Sequence, residues 1–227
     1  MSERPTVGTT DGRAALPVRE RIAAAVANHL DDHTFVNVGI GIPGLVPHHV
    51  PDERGIVFHA EHGVVGFGSD RFGPDTGAEL AFFGTSYRMR PGGFICDHTR
   101  SFAMIRAGRL DVTVLGAFEV TVDGRLANFR GTGMASGCPG GSPELAGATP
   151  RVIVATEHTD RRGRPKLVAA TDLPVGTDRP PDLIVTELGS FRATGDAFVV
   201  DRLAPGVDLD RVRAVTGAPV VAAEGSA

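Results

Sequence analysis

The chain has 227 residues, is 41% hydrophobic and 22% charged, and carries a formal net charge of −4. That balance is ordinary for a soluble globular protein; there is no basic stripe of a nucleic-acid binder and no apolar run of the roughly 18 residues that a membrane span needs. Thirty glycines and 16 prolines without a repeat predict many tight turns and backbone-lined loops. Cys96 and Cys138 form no disulfide framework and no C-x-x-C motif, and Met1 to Pro17 lacks the apolar core of a secretory signal. The expected compartment is the reducing cytoplasm.

Residues 1–16 read as a flexible, solvated arm and residues 17–227 as a single domain. Val18, Ile22, Val26 and Leu30 recur every four residues after Pro17, which predicts a helix closed by Asp31 to Thr34. Phe35 to Val38 and Ile56 to Phe58 read as strands, the second ending at His59-Ala60-Glu61-His62-Gly63. Residues 64–93 are glycine-rich and weakly periodic, and are expected to be loops with at most one strand. Ser101 to Arg109 predicts a helix and Asp111 to Leu115 a buried strand; Asp123-Gly124 marks a hairpin. Gly131 to Gly147 is a second glycine-rich stretch. Val152 to Ala155 and Leu183 to Val185 read as short apolar strands, and Gly195-Asp196 as a turn before the strand Phe198 to Val200. Asp208 caps a last helix that stops at Gly217. Helices alternating with apolar strands predict an α/β fold whose mostly parallel sheet is covered on both faces.

In such sheets ligands sit at the carboxyl ends of strands. Gly39-x-Gly41-x-x-Gly44 follows the first strand and matches a dinucleotide fingerprint, with Glu61 about 20 residues on. Pro47 and Pro51 leave little room for the helix that fingerprint requires, so the same glycines also read as a tight strand exit. Glu61, beside Gly63 at the end of the second strand, has the position of a base, a nucleophile or simply a solvated cap. His59 and His62 have no third ligand at a recognisable spacing, so no metal site is expected. Cys138 reads as a small buried thiol. Arg88 and Arg90 could hold a substrate carboxylate, but a solvated pair of arginines is the expectation.

From Pro17 to Val221 the chain resembles the β subunit of family I CoA-transferases, the group of the succinyl-CoA:3-oxoacid and 3-oxoadipate enzymes. The matching blocks are "FVNVGIGIPGLV" from Phe35, "SFAMIRAGRLDVTVLGAFEVTVDGRLANF" from Ser101, "RVIVATEH" from Arg151, "PDLIVTELGSF" from Pro181 and "LAPGVDLDRVRAVTGAP" from Leu203. They stand in the family's order. The resemblance implies a three-layer α/β/α fold, an α subunit as partner in a heterodimer or heterotetramer, and CoA as a substrate, with no further cofactor. It implies transfer of CoA between an acyl-CoA and a free carboxylic acid of the 3-oxo type, as in ketone-body or aromatic catabolism. Glu61 becomes the nucleophile, because the family's Ser-Glu-Asn-Gly turn stands here as Ala60-Glu61-His62-Gly63. Gly140, Gly141, Gly39 and Gly41 are the expected oxyanion or CoA contacts, and His62 is expected to tune the carboxylate.

Three departures accompany the match. Ala60 replaces Ser and His62 replaces Asn beside the nucleophile, which points to a substrate other than the commonest 3-oxoacids. The family's Gly-Gly-Ala-Met-Asp-Leu-Val stands as Gly140 to Ala146, in a loop one residue shorter before Gly147 and one longer after Ala148, and Pro143 removes an N–H. The alternatives on sequence grounds are a CoA-thioester hydrolase or ring-cleaving enzyme of the same superfamily, a non-catalytic partner-binding subunit, and an NAD-binding oxidoreductase built on Gly39, Gly41 and Gly44.

Overall fold

A computed structural model describes residues 16–69, 79–82 and 85–223. All but the last residue of the expected N-terminal arm lies outside them. In chain order the elements are α1 (Val18–Asn28), β1 (Phe35–Val38), the short α2 (Ile42–Leu45) running into 3-10 turns, β2 (Val57–Ala60), β3 (Val64–Ser69), β4 (Glu79–Phe82), β5 (Thr85–Ile95) and α3 (His98–Arg106). Then follow β6 (Val112–Leu115), β7 (Glu119–Thr121), β8 (Leu126–Ala127), α4 (Ser142–Ala148), β9 (Arg151–Ala155) and β10 (Leu167–Val168). The chain continues through β11 (Leu183–Thr186), β12 (Gly189–Ala193), β13 (Phe198–Leu203), α5 (Leu209–Val215) and β14 (Val220–Ala222).

Eleven strands form one sheet in the order β14-β13-β12-β11-β9-β6-β1-β2-β3-β5-β4. Its centre, β11-β9-β6-β1-β2, is parallel; the flanks beyond β2 and β11 turn antiparallel, except that the edge strand β14 pairs parallel with β13. Strands buried on both faces explain the continuous apolar runs of β6, β9 and β11. Alternation along them sends residues to two separate cores. Val36, Val38, Phe58, Val112, Val114 and Ile153 pack under α1 and the α2 region. On the other face Leu115, Val152, Val154, Ile184 and Phe198 pack with Phe102 of α3, Leu145 of α4 and Val212 of α5. The layers are therefore α/β/α. Each fully buried Val, Ile or Phe contributes about 1.5–3 kcal/mol. β7, β8 and β10 form a small second sheet against the α3–α5 core.

Residues 64–93 depart from the loop expectation. β3 and β5 pair antiparallel from Val64↔Ile95 to Ser69↔Tyr87, with β4 outside β5; residues 70–78 fall outside the described part. The periodicity is broken because the pairing shifts between Val65 and Phe67. There Gly66 takes a φ of 77° and lies against Gly93. A bulge turns side chains out of the period-2 pattern, and a glycine hides the strand signal further.

The second glycine-rich stretch also holds an element: α4 begins right after Gly141. Pro143 stands in the first turn, where a missing N–H costs no intrahelical bond. The loss of a donor expected from Pro143 therefore leaves Gly141 unaffected. α3 starts at His98, three residues before the expected Ser101, because the Asp97 side chain accepts from Arg100 N–H at 2.9 Å and caps it.

Candidate active site

The carboxyl ends of β1, β2 and β6 lie side by side, and each continues into an exposed turn. Glu61 occupies the turn after β2, which Gly63 closes with its N–H on Ala60 O at 2.9 Å and a φ of 114°. A side chain at position 63 would run into the carbonyl of Cys96, so the turn fits against the start of α3 only with glycine there. Hydrogen bonds to two of its carbonyls hold the turn to that segment. Cys96 N–H donates to Gly63 O at 2.9 Å, and Ser101 Oγ–H donates to Glu61 O at 2.6 Å.

The Glu61 carboxylate points at the N-terminus of α4. Gly141 N–H donates to Oε1 at 3.4 Å. A Cβ at Gly140 would stand 3.3 Å from Oε1, and one at Gly141 would collide with the carboxylate and lie 2.9 Å from Phe102 Cζ. Phe102 forms the wall beyond, stacked on His98 with ring centroids 4.3 Å apart. Burial raises the Glu61 pKa above the ordinary carboxylate value, and Glu144 adds to this; the Gly141 N–H and His98 hold it back. A carboxylate raised in this way is a better nucleophile than one in water. His62, exposed on the same turn, is lowered by partial burial and by His98.

Four of the residues singled out from the sequence thus come together: Glu61, His62, Gly140 and Gly141. Gly39 does not join them as an oxyanion donor. Gly39 N–H is spent on Val114 O at 3.0 Å, inside the β1–β6 pairing, so the oxyanion role expected of it is corrected. Gly41, with a φ of 88°, opens α2 and faces Arg19. The helix after Gly41 has four residues, Ile42–Leu45, which is too short for the dinucleotide reading. Arg88 and Arg90 both bind Asp52, at 3.3 and 2.6 Å, and Arg90 also binds Ile56 O at 2.8 Å, so the pair is partly buried and ion-paired and not solvated as expected. Cys138 is exposed, not buried, because the loop before α4 lies on the surface.

His59 belongs to β2 and not to the turn. Its ring is wholly buried, with Nδ1 2.9 Å from Asn37 Oδ1 and Nε2 2.9 Å from Ser101 Oγ. Both nitrogens are thus engaged, and no group of three metal-ligating side chains occurs among the described residues. Reading the sequence missed Ser101 and Asn37. The available signal was a lone polar residue in each of three apolar strands: Asn37, His59 and Thr113.

The chain is thus an α/β/α fold with a half-buried glutamate at a strand end, facing the N–H of Gly141. Residues 19–214 match the family described as Coenzyme A transferase, and the chain belongs to that family. It is 38% identical to the β subunit of a probable coenzyme A transferase of Bacillus subtilis, over 89% of this chain and 94% of that one. It is 33% identical to the corresponding subunit of the 3-oxoadipate CoA-transferase of Acinetobacter baylyi, with the same coverage of 89% and 94%. Among solved structures, the apoenzyme of the acyl-CoA transferase YdiF from Escherichia coli O157:H7 superposes with a TM-score of 0.70 at 20% identity, over 94% of this chain. This chain spans 44% of the YdiF chain. No helix among the described residues is long and apolar enough to cross a membrane.

Proposed function

We propose that this chain is the β subunit of a CoA-transferase, working with a separate α subunit, and that Glu61 is its covalent nucleophile. The observation that carries the reading is the Glu61 carboxylate, raised by burial and aimed at the Gly141 N–H. Glu61 attacks the acyl-CoA carbonyl, the tetrahedral intermediate expels CoA thiolate, and an acyl-glutamyl anhydride remains. The thiolate then attacks Cδ of Glu61, releases the first acid and leaves a glutamyl-CoA thioester. The acceptor carboxylate attacks that same Cδ and expels the thiolate. The thiolate finally attacks the acceptor's acyl carbon, giving the new thioester and restoring the Glu61 carboxylate. CoA enters and leaves as substrate, and no other cofactor is required.

Each attack on Cδ puts negative charge on a glutamyl oxygen, and the Gly141 N–H already faces Oε1. Removing one such donor typically costs about 3–4 kcal/mol of transition-state stabilisation. Ile40 (72% exposed) and Phe118 (37%) follow β1 and β6, and Ile95 (65%) stands beside the Glu61 turn across the β3–β5 pairing. These exposed apolar residues follow the same strand ends as the Glu61 turn, the edge on which a docking α subunit would exclude water from the thioester. Ala60 is buried in the core, so of the two departures only the exposed His62 bears on the substrate, favouring a carboxylic acid outside the commonest 3-oxoacids.

Kinetics test the reading. The α/β pair should give parallel double-reciprocal lines for acyl-CoA and acceptor acid, as a covalent relay demands. The chain alone should turn over little or not at all. Intersecting lines, or acyl-CoA consumption that needs no acceptor acid, would replace transfer with a ternary-complex or hydrolytic mechanism.

A further inference from the structure

Asn37, His59 and Thr113 stand in one row across three adjacent parallel strands, Asn37 paired in register with His59 on one side and with Thr113 on the other. All three are fully buried, as is Ser101 on α3, which stands over the end of the row. The contacts run Thr113 Oγ1 to Asn37 Nδ2 at 3.1 Å, Asn37 Oδ1 to His59 Nδ1 at 2.9 Å, His59 Nε2 to Ser101 Oγ at 2.9 Å, and Ser101 Oγ to Glu61 O at 2.6 Å.

Counting protons fixes the direction. Glu61 O can only accept, so the single Ser101 hydroxyl hydrogen goes there. His59 Nε2 must then donate to Ser101 Oγ. The ring is neutral near pH 7, since burial pushes its pKa to about 4, and a neutral imidazole carries one proton. Nδ1 is left as an acceptor and needs a donor. Asn37 supplies one when its amide turns Nδ2 toward His59 and Oδ1 toward Thr113, a change that swaps two atoms of nearly equal size. The opposite turn of the amide needs a proton on Nδ1. It would leave one of two contacts, His59–Ser101 at 2.9 Å or Ser101–Glu61 at 2.6 Å, without a hydrogen unless the ring were charged.

We propose that the buried chain Thr113→Asn37→His59→Ser101 donates in one direction onto the Glu61 carbonyl, and that Ser101 and His59 are positioning residues for the Glu61 carboxylate. This rests on Glu61 being the nucleophile. Glu61 O is the backbone atom that sets where its own side chain leaves the turn. With Gly63 pinned to Cys96 on the other side, the Ser101 bond fixes the aim of Cδ at Gly141. The chain crosses three strands and one helix, so the aim of the carboxylate is referred to the rigid centre of the sheet. Cooperative polarisation along a one-way chain strengthens each bond in it.

The test uses the full-length chain labelled with ¹⁵N-histidine, with the His59 signal assigned by its loss in His59→Gln. The proposal requires Nε2 to be the protonated nitrogen and Nδ1 the bare one, unchanged from pH 5.5 to 8. A proton on Nδ1, or an imidazolium, would overturn it. The second arm measures the rate of CoA transfer onto the α/β complex, with succinyl-CoA and acetyl-CoA as probes and no acceptor acid. Ser101→Ala and His59→Leu should slow adduct formation about 10–100-fold per folded molecule, the scale of a misplacement near 1 Å, with the half-saturating acyl-CoA concentration little changed. His59→Gln keeps an N–H toward Ser101 and should recover most of the rate. A merely structural role would lower the melting temperature in all three variants and leave the rate per folded molecule at the wild-type value. If wild type forms no adduct, the transferase reading fails while the histidine spectrum still judges the chain. If wild type reacts and Ser101→Ala reacts equally fast, the positioning role fails and the transferase reading stands.

Discussion

Two fully buried histidines, His59 and His158, solve the same problem with different ends. Burial pushes both to a pKa of about 4, so both are neutral rings near pH 7. Each joins two hydroxyl- or amide-bearing side chains. His158 Nδ1 lies 3.1 Å from Thr186 Oγ1, its Nε2 2.8 Å from Thr216 Oγ1, and Thr216 in turn donates to Val212 O at 2.8 Å. That chain begins on β11 and closes on α5, so it ties a helix to the sheet and ends within the scaffold. The His59 chain ends on the carbonyl of Glu61. The same buried, satisfied imidazole is a fastener in one place and a reference point for a reactive carboxylate in the other; only the last acceptor differs.

The largest effect is expected where the His59 chain delivers its residue. Gly141→Ala puts a methyl into the space of the Glu61 carboxylate and against Phe102. Activity of the α/β complex should drop about 100-fold or more, as for a reacting atom displaced by about 1 Å, with the melting temperature of the chain nearly unchanged. Normal turnover would show that Glu61 and Gly141 do not act together, and the contrast between the two histidines would lose its functional half.

Exchanging the histidines sharpens the contrast next. His59→Leu and His158→Leu each strand buried hydroxyl groups, at a cost of about 1–3 kcal/mol per unsatisfied group. Chemical denaturation should show both destabilised to a similar degree. Turnover per folded molecule should fall in His59→Leu and stay near wild type in His158→Leu. Equal turnover in the two variants would make His59 a fastener as well.

Acid should act on both at once. The unfolded histidines bind protons near pH 6.5 and the folded ones only near 4, so the unfolded state holds more protons between those values. Their contribution is complete above pH 6.5 and is lost as pH falls toward 4, about 3 kcal/mol for each ring at about 1.4 kcal/mol per pH unit. The raised Glu61 carboxyl works in the opposite sense, so the series is best measured in Glu61→Gln. Unfolding free energies that stay flat from pH 7 to 4 would contradict neutral buried rings.

His62 provides the smallest effect and the control. It shares the turn with Glu61 but is exposed, and partial burial and His98 lower its pKa. As pH drops through its lowered pKa it gains charge, which favours the Glu61 carboxylate over its acyl forms. The pH–rate profile should therefore fall by a few-fold on its acid side, and His62→Asn should flatten that limb. An identical profile in His62→Asn would leave His62 without a part in tuning.

Much of this was legible in the sequence, and the failures share a cause. The strands β1, β6, β9 and β11 announced themselves by apolar runs, and α1 and α5 by spacing and caps. Glu61, Gly140 and Gly141 came from the resemblance to the CoA-transferase family; the glycine-flanked turn by itself left Glu61 as a base, a nucleophile or a solvated cap. β3 and β5 were hidden because Gly66 and Gly93 carry no side chain to show alternation and a bulge shifts the pairing between them. Gly39 looked like a donor, but its N–H is consumed by Val114 of a strand about 75 residues further on. The Asn37–His59–Thr113 row arises from the register of three strands that are far apart in sequence. Each residue alone reads as an odd polar residue in a strand; only the pairing Asn37↔His59 and Asn37↔Thr113 makes a row of them.

The central claim is that Glu61 carries CoA. Incubating the α/β complex with acyl-CoA in the absence of acceptor, followed by proteolysis and mass spectrometry, tests it most directly. The expected result is CoA in thioester linkage on the peptide containing Glu61, sensitive to hydroxylamine, and absent in the nearly isosteric Glu61→Gln while that variant remains folded. A CoA adduct on another residue, such as Glu144, or an adduct that survives Glu61→Gln, would contradict it.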